Sequence, residues 1–133
     1  MARDETLNER PQPSPALSAA EVIGVQLRAL RNNDTPEPDA GIALAFEFAS
    51  PANQAVTGPL DRFTLLVHSP VYQALLNFRA VQRGAMIVAD DQAQESVLIL
   101  DAEGKTAVFV FALSQQSGGP YNGCWMTDGV LRA

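Results

Sequence analysis

One cysteine, one histidine and one lysine are all that the 133 residues contain of those three types, and each scarcity removes a class of chemistry. A lone Cys124 has no partner for an internal disulfide, which fits a reducing compartment. With His68 and Cys124 as the only such ligands, a zinc site would need carboxylates for the rest, so no metal is expected. Lys105 stands alone among arginines, and the net charge is −6. No stretch is basic enough to neutralise a run of phosphates. Neither a nucleic acid nor an anionic membrane surface is therefore an expected partner. No apolar run is long enough to span a bilayer. The N-terminal MARDETLNERPQPSPAL has mixed charge and no apolar stretch, which argues against a secretory signal and for the cytoplasm. Gly118-Gly119-Pro120 and the isolated glycines do not spell a phosphate loop, and no cofactor is expected.

What the chain does have is one conspicuous strand, Lys105 to Gln116 (KTAVFVFALSQQ). Val108 to Leu113 run without a polar break, so both faces are apolar, where a strand with one wet face would alternate. It reads as a central strand, paired on both edges. The length fits one domain, and 47% apolar residues supply a core for it.

Residues 1–17 are polar and hold Pro11, Pro13 and Pro15, a composition expected to form a loose tail or an interaction arm. The domain is expected over 18–133. Ser18-Ala-Ala-Glu21 is a capping box, followed by Ala20, Ile23, Leu27 and Leu30 at helical spacing. Gly24 within this helix either admits a close approach or is a tolerated defect. Asp34 to Asp39 is a turn-rich connector. A second helix is predicted over Asp39 to Ala49, with Asp39 at its positive end and Ser50-Pro51 as its stop. Ala52 to Gly58 reads as irregular or a single turn. A third helix starts near Pro59 and packs through Leu60, Phe63, Leu66 and Val67 until His68-Ser69-Pro70 breaks it. Val71, Tyr72 and Leu75 continue as a short helical turn.

Strands follow. Phe78 to Ala89 reads as one strand bulged at Gly84, then Ala93 to Leu100, the central strand, and a last strand from Tyr121 to Leu131. Asp90-Asp91, Asp101-Ala-Glu-Gly104 and Ser117-Gly-Gly-Pro120 are the turns. The Asp101 loop admits two registers that differ by one step, and one step moves every side chain to the other face. Three helices followed by a four-stranded antiparallel meander make an α+β domain, with the helices on one face of a curved sheet. Phe78, Phe109, Phe111 and Trp125 are its expected anchors, each worth about 1.5–3 kcal/mol when fully buried.

This order resembles the cystatin-like cone fold shared by nuclear transport factor-like proteins and ketosteroid isomerases. Within it, the chain resembles an uncharacterised family of small bacterial, cyanobacterial and plant proteins. The residues that carry the likeness are the Val22 to Leu30 helix, Phe46-x-Phe-Ala-Ser-Pro51, Asp101-x-x-Gly104, Phe109-x-Phe-x-Leu-Ser-x-Gln116 and Gly123-Cys-Trp125. The resemblance implies a pocket between helices and sheet, and a homodimer formed through the sheet. It implies no activity, because the fold hosts enzymes and non-catalytic modules alike.

Few residues suit catalysis. His68 can act as a general base near neutral pH, or can cap the end of a broken helix. Asp61 and Asp128 can exchange protons if they face an apolar interior; otherwise Asp61 balances a helix dipole and Asp128 makes a bulge or turn. Tyr72 and Tyr121 can donate to an oxyanion, or tie a loop to the core. Cys124 has no basic neighbour in sequence and reads as a small buried hydrophobe. A pocket would be lined by Phe46, Phe63, Tyr72, Phe109, Phe111 and Trp125. The leading expectation is a non-catalytic module that binds a small apolar or amphipathic ligand or a partner protein and dimerises through its sheet. The alternatives are an acid–base enzyme of isomerase, cyclase or hydrolase type, and an assembly subunit with a filled interior.

Overall fold

Ser18 opens the first helix as its sequence dictates. Its Oγ accepts from the Glu21 amide at 3.1 Å, and Glu21 Oε1 accepts from the Ser18 amide at 2.9 Å. The computed structural model describes residues 10–133. Helix α1 (Ala19–Arg31) buries two rows at i, i+4 spacing: Ala19, Ile23 and Leu27, and Val22, Gln26 and Leu30. Ala20, expected on this face, lies just beyond both rows and is exposed. Gly24 admits a close approach: a Cβ there would stand 3.3 Å from the Arg83 guanidinium.

Helix α2 (Ala40–Glu47) follows the connector. Asp39 precedes it in the left-handed region at φ 62° and makes no side-chain capping bond, because its carboxylate is engaged elsewhere. Ser50-Pro51 ends this segment but also begins another helix, α3 (Pro51–Thr57). Ser50 Oγ accepts from the Asn53 amide at 3.2 Å, and Pro51 takes the first helical position. The described residues therefore hold four α-helices, not three. A proline suits a first turn as well as a stop, and the serine hydroxyl before it decides. Helix α4 (Leu60–Val67) packs less than expected: Leu60 and Leu66 are exposed, and only Val67 is buried. A 3-10 turn, Gln73–Leu75, leads into the sheet.

Strands β1 (Ala80–Ala89), β2 (Gln92–Leu100), β3 (Thr106–Gln115) and β4 (Trp125–Arg132) form an antiparallel meander in sequence order, so β3 is paired on both edges. The β1 register shifts between Arg83 and Met86, around Gly84. In the β2–β3 turn, Asp101 Oδ1 accepts from the Glu103 and Lys105 amides, and Gly104 takes φ 84°. That geometry sets the phase: Ala93, Glu95, Val97 and Ile99 point inward with Ala107, Phe109, Phe111 and Leu113. The last strand starts at Trp125, not Tyr121. Gly118, Gly119 and Gly123 all take positive φ, and the Gly123 amide still donates to Gln116 O within the turn.

Helices α1 and α2, the 3-10 turn and the inner sheet face share one buried cluster around Phe48, Phe109 and Phe111. The second face of β3 lies at the surface: Val108 is 36% and its partner Leu98 40% exposed. Within the tail expected over 1–17, residues 10–17 touch the domain at two points. Arg10 pairs with Glu47 at 2.8 Å and Leu17 packs against the core. Residues 1–9 of that expectation lie outside the described residues. No helix of the described residues is long and apolar enough to cross a membrane.

Candidate functional site

Small side chains open a cavity of about 220 Å³ between the helices and β3–β4. Ala45 and Ala49 on the helical side and Gly129 on β4 are part of its wall, and a Cβ at Gly129 would meet nothing within 4 Å. Phe111 and Leu30 form the apolar depth, and Phe63 and Leu66 of α4 lie over it. Phe63 is held by Phe46, whose ring centroid is 5.0 Å away. No residue lining the cavity carries a charge.

The polar part of the wall comes from Gln26, Asn53, Thr57 and Thr127. Gln26 and Thr127 are each only 3% exposed, and Gln26 Nε2 donates to Thr127 Oγ1 at 2.6 Å. The chain between α2 and α3 runs along the edge of β4: Ser50 N donates to Thr127 O and Thr127 N to Phe48 O, both at 2.8 Å. Asn53 Nδ2 also donates to Thr127 O, at 3.0 Å. This seam fixes Thr127 opposite α1.

Of the aromatic residues expected to line a pocket, Phe63, Tyr72 and Phe111 do. Phe46 sits behind Phe63, Phe109 is fully buried beneath Tyr72, and Trp125 packs half-buried against the core. The catalytic candidates do not converge. Tyr72 lines the cavity, but its hydroxyl donates to Val130 O at 2.9 Å, tying the 3-10 turn to β4. His68 lies outside the lining, and its Nε2 is 2.9 Å from Asp39 Oδ1. Asp61 is exposed in the first turn of α4. Asp128 is the extra residue at the β3–β4 register shift, and it is exposed. Tyr121 belongs to the turn before β4. Burial raises the Cys124 thiol above its ordinary range, as suits an inert apolar neighbour.

Two polar clusters escaped the sequence reading. Glu95 points inward from β2 at 3% exposure, and the Arg83 guanidinium meets it with Nε and Nη2 at 2.7 and 2.8 Å. Arg83 Nη2 also donates to Ala20 O of α1. The signal was present: Glu95 is in phase with Ala93, Val97 and Ile99. At the other end, the buried Asn33 accepts from the Ile42 amide and donates to Asp39 Oδ1 at 2.9 Å. Asp34 Oδ1 accepts from the Asp39 amide and Asp34 Oδ2 from the Asn77 side chain, both at 3.0 Å. Those two bonds, and the nearby His68, hold the Asp34 carboxyl below its ordinary value. Among the described residues, no group of three or more His, Cys, Asp or Glu side chains is placed to hold a metal ion.

A family model described as Domain of unknown function (DUF4864) matches residues 15–131. The chain belongs to this family. The match runs from Pro15, beside Gly123, to Leu131 at the cavity, so the whole cavity lies within the DUF4864 domain. No curated protein and no solved structure matches the chain.

Proposed function

We propose that this DUF4864 domain is a cytoplasmic, non-catalytic binding module of the nuclear transport factor-like cone type, with a small apolar ligand held between helices and sheet. The observation that carries this reading is the uncharged cavity of about 220 Å³, walled by Leu30, Phe63, Phe111 and Val130. By proportion to a benzene-binding cavity of about 150 Å³, it suits roughly nine non-hydrogen atoms. An interior with this much space argues against a purely structural subunit. The separation of His68, Asp61 and Asp128 from the cavity argues against acid–base catalysis there, since base and donor must reach one reacting atom.

The module is also proposed to work as a homodimer through its outer sheet face. Leu98 and Val108 are directly paired there, and Ile87 is 65% exposed on the same face.

Titration with propylbenzene, followed by amide NMR shifts, tests the ligand reading. The Ala45, Phe63 and Val130 signals should move in the native chain. They should not move in Ala45→Leu, which fills the space and should add about 1 kcal/mol of stability. Shifts that are absent from the native chain, or unchanged in Ala45→Leu, would overturn it.

A further inference from the structure

Gln26 is the least expected residue on the buried face of α1. It occupies the centre of the Val22–Gln26–Leu30 row, is 3% exposed, and borders the cavity. Its Nε2 is used by Thr127 Oγ1 at 2.6 Å, with Val22 O at 3.5 Å. Its Oε1 accepts from no group of the described residues. Yet Ser69 Oγ is the only fully enclosed, unpartnered side-chain polar atom among those residues. Gln26 Oε1 therefore reaches open space, and the space beside it is the cavity. Thr127 also lines the cavity: its hydroxyl accepts from Gln26, and its own proton has no acceptor among the described residues. The pair offers a ligand one acceptor and one donor. Turning the amide over would make Thr127 the donor to Gln26 Oε1. The pair offered would then be the Gln26 N–H and the Thr127 oxygen, still one of each.

We infer that the ligand of this cavity is a neutral molecule of about nine non-hydrogen atoms whose single hydroxyl docks on Gln26 and Thr127, with its apolar remainder against Leu30, Phe63 and Phe111. A hydroxyl both donates and accepts, so it satisfies the pair in either amide orientation. A hydrocarbon of the same size leaves two buried polar atoms unmet. A carboxylate would be desolvated in a wall without a cation, which disfavours it most. The inference rests on the cavity being a ligand site.

The test uses three probes of similar size, 1-octanol, propylbenzene and octanoate, titrated into the full chain and into Gln26→Leu and Thr127→Val. Calorimetry or NMR supplies the affinities, and thermal unfolding checks that each variant folds. Native protein should prefer 1-octanol to octanoate by at least about tenfold. Each variant should lose about fivefold for 1-octanol while propylbenzene binding holds or improves. If one variant fails to fold, the other and the native preference still decide. Tightest binding of octanoate, or equal losses for 1-octanol and propylbenzene in the variants, would overturn the hydroxyl inference while leaving the binding reading intact. No binding of any probe would overturn both.

Discussion

Gln26 and Glu95 are polar side chains at positions whose same-face neighbours are apolar, and they resolve that conflict differently. Glu95 is met by a bidentate arginine from the next strand, with Gly24 leaving room on α1 for the guanidinium. Gln26 is met only in part, and its remaining capacity faces the cavity. Glu95 should accordingly act on stability. Arg83→Ala would leave a buried carboxylate without its partner, a loss of about 2 kcal/mol after allowing for the partial exposure of Arg83. Urea unfolding measures it. Removing both charges together, as Arg83→Met with Glu95→Leu, should recover most of the loss, because the penalty lies in the orphaned charge.

Where elements meet, α1 and α2 approach so closely that only glycine fits at position 41. A Cβ there would run into the Ala29 carbonyl and the Asn33 backbone. Gly41→Ala should therefore cost about 3 kcal/mol, against the small gain alanine normally brings to a helix. Chemical denaturation with unchanged denaturant dependence would verify it. The connector between these helices is fastened by Asp34, which accepts from the Asp39 amide and from Asn77. These two bonds hold its carboxyl below its ordinary value, so its folded pKa lies under its unfolded one. The ionised form stabilises the fold above that value, and the contribution is lost as pH falls through the lower, folded pKa. Tm should thus drop more steeply on acidification below about pH 4 in the native chain than in Asp34→Asn. Parallel slopes would remove Asp34 from the account.

At the level of the whole molecule, the sheet has one covered face and one open face. The apolar run in β3 already implied two apolar faces. The helices took one, and Leu98, Val108 and Ile87 remain on the other. If a second copy covers them, light scattering at high micromolar concentration should give twice the chain mass. Leu98→Lys should then shift the chain toward monomer. A native monomer under the same conditions would rule the dimer out.

Local chemistry determined much of this protein without help from the fold. The Ser18 box, the Asp101–Gly104 turn, the Gly84 bulge and the continuous β3 run need only neighbours in sequence, and the helices-then-meander order follows from them. Local signals failed where one residue can serve two ends. Ser50-Pro51 both stops a helix and starts one, and Tyr121 is strand-like by type but sits among glycines at positive φ. Residue type marks a side chain as able to do catalysis but says nothing about its direction: His68 turns to Asp39, and Asp128 to the surface. The cavity was the decision of tertiary structure alone. Ala45, Ala49 and Gly129 come together in its wall, where Gln26 of the first helix meets Thr127 of the last strand. Residues so far apart in the chain share no local signal, and the space between them is a property of packing.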